Sequence, residues 1–258
     1  MRKMIQRFLV VTAVIASMCG SASAADAGKD WYVALRMGYQ PYQLDVKGTV
    51  DGKDFDRSAS LSDIMNNTDT TILGGEVEYG SGKWFTILSA FYQKSDVSKN
   101  NGTLGADVSF KEVGFNPMVG YRVYQTTLGD MPLVVDAMAG IFYVKIEPAL
   151  TVYDPTLPGG SVATSKKIDF TDPMIGARTY LAVTKEFGVA ASGEIGGFGV
   201  GSKLQTVLAG NLVYNFTDWF AMSGGYKYWY FKYEDTGSRL SRLEQSIYGP
   251  VVGLQFKY

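Results

Sequence analysis

Tyr248-Gly-Pro-Val-Val-Gly-Leu-Gln-Phe-Lys-Tyr258 is the stretch whose reading decides the fold. Taken with period two, Tyr248, Pro250, Val252, Leu254, Phe256 and Tyr258 fall on one face, and Gly249, Val251, Gly253, Gln255 and Lys257 on the other. Successive side chains of a strand point to opposite sides, so one side of this segment is apolar and aromatic and the other small or polar. A strand with hydrocarbon outside and a polar lumen inside has this pattern.

The same alternation recurs upstream. Trp31 to Tyr39 turns Trp31, Val33, Leu35, Met37 and Tyr39 outward and Arg36 inward. Ile72 to Tyr79 places Leu73, Val77 and Tyr79 out and Glu76 and Glu78 in. Trp84 to Lys94 alternates poorly and its faces are left unassigned. A fourth strand sets Val113, Phe115, Pro117, Val119 and Tyr121 against Glu112, Asn116 and Arg122, and a fifth sets Val135, Ala137, Ala139, Ile141 and Tyr143 against Asp136, Met138 and Phe142. In the sixth, Pro173, Ile175, Ala177, Thr179 and Leu181 oppose Asp172, Arg178 and Tyr180. The seventh, Gly188 to Phe198, carries Ser192 and Glu194 inside. The eighth opposes Leu208, Leu212, Tyr214 and Phe216 to Gln205, Asn211 and Asn215. The ninth opposes Phe220, Met222, Tyr226, Tyr228 and Tyr230 to Ser223, Lys227 and Trp229.

With the terminal segment this makes ten strands, an even number as single-chain barrels require, with eight or twelve as alternatives. Short turns at residues 80–82, 126–130, 185–186 and 217–218 alternate with links at 45–70, 97–106, 154–167 and 235–244, which read as long loops. The link at 200–203 is the short exception. The fold expected is therefore all-β, a closed antiparallel transmembrane barrel with short periplasmic turns.

The amino terminus fits export. Arg2, Lys3 and Arg7 precede an apolar run, Phe8 to Met18, and Ala22-Ser23-Ala24 is a small-residue cleavage site. Residues 1–24 read as a signal peptide and 25–258 as the barrel domain. Acylation at Cys19 is the competing reading, disfavoured by bulky Met18 before it. Cleavage after Ala24 removes the one cysteine, so no disulfide or thiol chemistry is expected. It also removes three basic and no acidic residues from a chain with 24 basic and 25 acidic ones, leaving an acidic mature protein without the basic patch nucleic acid needs. No later stretch is apolar for the ~20 residues of a spanning helix.

Gly253, Phe256 and Tyr258 at the chain end resemble the terminal assembly signal of bacterial outer-membrane barrels, which implies location in the Gram-negative outer membrane and recognition by the barrel assembly machinery. Further stretches carry a second resemblance: Leu61-Ser-Asp-Ile-Met-Asn-Asn67, Asp172-Pro173 followed by Gly176 and Arg178, Gly196-Gly-Phe-Gly-Val-Gly-Ser202, Gly225-Tyr226-Lys227-Tyr228 and Gly249-Pro250. Together they resemble a widespread, largely uncharacterised family of small Gram-negative outer-membrane barrels, over Trp31 to Tyr258. Where that family often has histidine this chain has Glu76, and where it has charges this chain has Ser89 and Phe142.

The candidate functional residues are the inward charges Arg36, Glu76, Glu78, Glu112, Arg122, Asp136, Asp172, Arg178, Glu194 and Lys227. Mixed signs in a confined lumen imply pairing, because an unpaired buried charge is costly. Pairing about residue 186 would set Arg178 opposite Glu194. A structural network is the first reading, and a narrow path for a small solute is the second. Ten strands fall well short of the ~16 that enclose a wide channel. Leu61 to Asn67 reads as a short plug helix or a surface loop. The glycines of 196–202 read as a tight barrel corner, not a phosphate cradle, because a strand follows them. Asp51, Asp54 and Asp56 read as a solvated acidic loop.

There is no histidine in the chain. Serine–histidine and aspartate–histidine mechanisms and histidine-built zinc sites therefore have no base or ligand. No catalytic residue, cofactor or metal is expected. The expected partners are outer-membrane lipid and lipopolysaccharide and the assembly machinery, around a monomeric barrel.

Overall fold

The computed structural model describes residues 31–258, except 41, 51–52, 60–67, 102–103, 154–160, 166 and 236–239. The cleavage site, Cys19, Asp51 and Leu61 to Asn67 lie outside the described residues. Thirteen strands are described: β1 (Trp31–Tyr39), β2 (Gln43–Val50), β3 (Lys53–Ala59), β4 (Thr68–Ser81), β5 (Trp84–Asn101), β6 (Leu104–Leu128), β7 (Met131–Tyr153), β8 (Ser161–Ser165), β9 (Ile168–Ala182), β10 (Phe187–Gly196), β11 (Leu204–Asn215), β12 (Phe220–Glu234) and β13 (Leu240–Lys257).

They occupy ten positions of one closed antiparallel ring. Neighbours pair in the order β1, β4, β5, β6, β7, β9, β10, β11, β12, β13, and β13 returns to β1 through Ala34↔Lys257 to Tyr39↔Val252. Two positions are interrupted. β2 continues the line of β1 along the outer end of β13, and β8 continues the line of β9 along the outer end of β7. β3 is an added strand that folds back on β2. Closure leaves no unpaired edge within the ten-stranded ring, as a bilayer demands.

The hairpins at one end are tight because their chemistry allows it. Gly82 and Gly129 stand at the first position of two-residue turns with φ of 59° and 64°. That conformation costs glycine little and any other residue more. By the habit of such barrels this is the periplasmic end, where Trp31 and Tyr258 also lie.

The opposite end corrects the sequence reading. The described parts of the links at 45–70, 97–106 and 154–167 are strand, not loop. They hold the β2–β3 hairpin, the outer ends of β5 and β6, and β8. Asp54 and Asp56 belong to β3. Outside the membrane water bathes the strand, polar residues suit both faces, and the alternation that betrays a strand disappears although the backbone ladder continues. β6 alone has 25 residues. At about 3.3 Å per residue it reaches far beyond the ~9–11 residues that cross a bilayer.

The outward face carries Leu35, Val77, Leu88, Val119, Ile141, Ile175, Val189, Ile195, Leu208 and Leu212, all exposed. Toward the periplasmic end this band is edged by Trp31, Tyr79, Trp84, Tyr124, Tyr214, Phe216 and Trp219, and toward the outer end by Tyr39, Phe115 and Tyr226. Such an apolar belt between aromatic girdles is a lipid-facing surface. The alternation read in the final strand holds, with Val251, Gly253 and Gln255 buried and Pro250 and Val252 exposed.

Candidate functional site

Period-two alternation on a closed ring sends every second side chain into the lumen, so charges from distant strands meet there. Arg36 of β1 and Glu76 and Glu78 of β4 face each other because β1 and β4 pair as Arg36↔Glu76 and Ala34↔Glu78. Arg36 Nη1 donates to Glu76 Oε1 at 2.5 Å and to Glu78 Oε2 at 2.7 Å. Arg178, reaching across from β9, grips Glu78 with two bonds, Nη1 to Oε2 at 2.7 Å and Nη2 to Oε1 at 2.8 Å. Its Nε donates to Asp136 Oδ2 at 3.0 Å, and Arg122 Nε donates to Asp136 Oδ1 at 3.1 Å. Ser89 donates to Glu76 at 2.9 Å, and the Tyr32 hydroxyl donates to Glu78.

Three arginines and three carboxylates thus form one chain, Arg122–Asp136–Arg178–Glu78–Arg36–Glu76, of equal and opposite charge. All six side chains are at most 7 % exposed, so screening by solvent is weak. Two-pronged arginine–carboxylate geometry is the strong form of this contact. The Phe85 ring lies 4.0 Å under the Arg178 guanidinium and occupies the face that hydrogen bonds leave open.

The pairing of Arg178 with Glu194 is corrected. Residues 183–186 form the turn, held by the Thr184 hydroxyl, which accepts from the backbone N–H groups of Glu186 and Phe187. The ladder therefore runs Arg178↔Ser192 and Gly176↔Glu194, one residue off the midpoint assumed from sequence. Glu194 instead lines a small cavity with Glu76, Ser89, Asn116, Ser192 and Lys227. About 30 Å³ of it is open to the centre of a water-sized sphere, room for water and for little else. Asn116 Nδ2 donates to Glu194 at 3.4 Å, and Asn116 Oδ1 has no protein partner.

Besides Glu194 and Lys227 at the cavity, two more of the ten charges, Asp172 and Glu112, stand apart from this chain. Asp172 accepts from the backbone N–H of Ser202 at 2.7 Å and from its hydroxyl at 2.5 Å. With its amide turned so that Nε2 donates to Asp172 at 2.9 Å, Gln205 accepts from the Trp229 indole at 3.1 Å. The Asp172 and Gly196–Ser202 motifs are thus one device. The glycine-rich segment does form a corner, with Gly197 and Gly199 at φ of 89° and 79° and Phe198 at 50°. It also folds inward to cap Asp172. Glu112 accepts from Gln245 at 2.8 Å, and its second oxygen has no partner.

Outside the charged layer the lumen is mainly apolar, with the Asp172 and Glu112 groups set into it. Phe91, Phe142 and Trp229 meet at centroid distances of 5.6–6.2 Å, and Phe170 and Phe231 at 5.7 Å. Val144, Ile146, Ile168, Leu243 and Ile247 fill the space around them. Below the charges, Tyr180, Ala190, Val213 and Ala221 form a small apolar cluster on β9 to β12. Tyr32, Ser89, Ser202 and Phe85 were missed as lumen residues from sequence, whereas Gln205 was read inward. Tyr32 and Ser89 carry a signal, a polar group on the inward register; Ser202 lies in a turn and Phe85 is apolar, so neither does.

No family model and no curated protein matches the chain. Solved structures do. The outer membrane protease OmpT from Escherichia coli is 12% identical with a TM-score of 0.57, over 89% of this chain and 97% of that one. The translocator domain of the autotransporter NalP from Neisseria meningitidis is 13% identical with a TM-score of 0.44, over 91% and 90%. Ail of Yersinia pestis is 12% identical with a TM-score of 0.34, over 89% and 100%. At such identities the likeness is one of fold: the chain is a closed ten-stranded barrel of the outer-membrane type.

Proposed function

We propose that this outer-membrane barrel is a structural, surface-interacting protein and neither a pore nor an enzyme. One observation carries the reading: buried side chains occupy the lumen at two successive levels, the arginine–carboxylate chain and then the aromatic layer, and the cavity beside the first has room for water and little else. Ions crossing the first level would have to break paired charges. At the second they would have to shed water among side chains such as Phe142 and Phe231, both with no exposed surface. The strands that continue past the membrane supply the surface. The lack of histidine removes the usual base for hydrolysis.

Planar-bilayer recording of the purified mature barrel tests this. Electrical silence is expected, and steady single-channel openings would replace the reading with that of a narrow channel or small-solute carrier. The chain end has its own role in the proposal. Phe256 packs outward on Trp219 and Phe220 at 6.3 and 5.4 Å, and Tyr258 is 73% exposed while its backbone pairs with Val33. An exposed terminal ring that the packing does not require is available to the assembly machinery, together with Gly253 and Phe256.

A further inference from the structure

Two carboxylates stand within the apolar half of the lumen, and their oxygens are served unequally. Asp172 has donors on both: the backbone N–H of Ser202 on Oδ1, and the Ser202 hydroxyl and the Gln205 amide on Oδ2. Glu112 has one donor among the described residues, Nε2 of Gln245, 2.8 Å from its Oε1. Both partners are sealed, Glu112 at 0% and Gln245 at 1% exposed. The atoms left over are Glu112 Oε2 and Gln245 Oε1. Both are acceptors while the carboxyl is ionised, so neither can satisfy the other. A proton on Oε2 turns it into the missing donor. The two oxygens of a carboxyl and the oxygen and nitrogen of an amide form matching forks. One bond from Gln245 to Glu112 is already in place, and the second returns from Oε2 to Gln245 Oε1 to close a flat ring.

The surroundings offer nothing in the proton's place. Glu112 faces Gln93 on β5 and Ile146 on β7, and the Gln93 amide is engaged by the Tyr42 hydroxyl at 2.6 Å. Around Gln245 on β13 the inward neighbours are Leu243 and Ile247, with Phe231 opposite on β12 and Val46 on β2. Of these only Tyr42 titrates. No charged group of the described residues acts on the Glu112 carboxyl, which burial pushes up to about 7. Glu112 lies three residues past Phe115 of the outer girdle, outside the membrane, so the medium sets its proton supply. We propose that Glu112 and Gln245 form a neutral acid–amide latch that ties β6 to β13 across the outer lumen, and that an alkaline medium releases it by taking the proton. Release leaves one bond of the two and an unpaired charge within the apolar cluster, which draws water into the outer half. The proposal stands on this pair alone and holds whether the barrel is silent or conducting.

Urea unfolding in lipid vesicles from about pH 4 to about pH 9 tests it with E112Q, whose amide makes both bonds of the ring at any pH. In wild type the carboxyl of the unfolded chain loses its proton near about pH 4.3 and the native one near about pH 7. Between these the native state holds more protons. The latch's stabilising share is therefore whole below the first value, falls as pH rises and is gone above the second. The folded-to-unfolded ratio of wild type should fall against that of E112Q by up to about tenfold per pH unit in this window, and run parallel to it above. The two should unfold alike at the acid end. Parallel profiles throughout overturn the proposal. So does an E112Q less stable than wild type at about pH 8, the mark of an ionised Glu112 held by a bound cation or water. The infrared spectrum reads the proton itself. At about pH 6 wild type should show a neutral-acid carbonyl band that E112Q lacks, and its absence overturns the proposal. Heat-modifiable gel mobility checks that each barrel is closed. If E112Q does not close, Q245M decides: the neutral-acid band should move to higher frequency once the ring is gone, and an unmoved band overturns the proposal.

Discussion

The two halves of the lumen solve the same problem, filling a barrel too narrow to be useful as a wide pore, with opposite chemistry. The periplasmic half uses six charged side chains in one neutral chain, tied across the lumen by Arg178 and Glu78. The outer half uses aromatic and branched aliphatic groups around Phe142, Trp229 and Phe231. A charged filling costs desolvation and returns it only while every partner is present, so it is stiff and intolerant of single losses. An apolar filling has no such all-or-none character, and its losses scale with the volume removed. The difference teaches that the charged half sets the geometry of the barrel while the apolar half mainly seals it.

Breaking that contrast at its centre should have the largest effect. Arg178→Ala leaves Glu78 and Asp136 short of their shared cation and should cost about 3–5 kcal/mol, as for other broken buried pairs. Adding Glu78→Gln should recover part of the loss, whereas adding Glu194→Gln should recover none, because Glu194 stands opposite Gly176 and does not contact the guanidinium. Urea unfolding of the barrel in lipid vesicles reads both. Recovery by the Glu194 variant would restore the pairing that the ladder contradicts.

In the outer half, Phe142→Ala removes a ring with no exposed surface from between Phe91 and Trp229. The loss should be about 3 kcal/mol by the usual cost of emptying a core site. The barrel should stay electrically silent, because the charged layer beneath is untouched. Conductance in this single variant would mean that the aromatic layer is the only seal, and the division of labour between the halves would fail.

These two halves were also unequally legible. Every charge assigned inward from alternation faces the lumen, because a charge opposite a lipid-facing apolar residue stands out in a strand of period two. The aromatic layer was legible only in part: Phe142 and Trp229 were read inward, but the faces of β5 were not. In β5 the outward Trp84 and Leu88 meet lipid while the inward Phe85, Ile87 and Phe91 meet the filled lumen, so both faces are apolar and no period remains. The ring's closure and strand count followed from local pattern. The partners across the lumen did not, because Arg178 and Glu78 are 100 residues apart and meet only through the stagger of the closed barrel. The outer strand extensions escaped for the opposite reason, since water on their outer side erases the contrast.

A smaller effect tests the polar island inside the apolar half. Ser202→Ala removes one of the donors to Asp172, leaving the backbone N–H and Gln205 in place. A buried carboxylate deprived of one bond should cost about 1–2 kcal/mol. Ser202→Cys, with a weak donor of similar size, should fall between. No loss in Ser202→Ala would mean that the backbone and Gln205 alone satisfy Asp172, and that the corner at residues 197–203 is shaped by its glycines only.

The smallest effect belongs to the same chemistry placed in water. Lys232 touches Glu234 at 2.9 Å and Glu244 at 3.7 Å, distances like those in the lumen, yet its side chain is 32% exposed. An ion pair so placed gains little over hydrated charges and is screened, so Lys232→Gln should cost under about 1 kcal/mol. Salt separates the two environments. At 1 M ionic strength the screening length falls to about 3 Å, and the Lys232 effect should vanish. The Arg178→Ala penalty should persist unchanged, because no mobile ion reaches a guanidinium whose side chain is 1% exposed. Measuring both variants at low and high salt in the same vesicles therefore reads the dryness of the lumen directly. If the Arg178 penalty also shrinks with salt, water and ions enter the charged layer, and the narrow-path reading of the barrel gains what the closed-lumen reading loses.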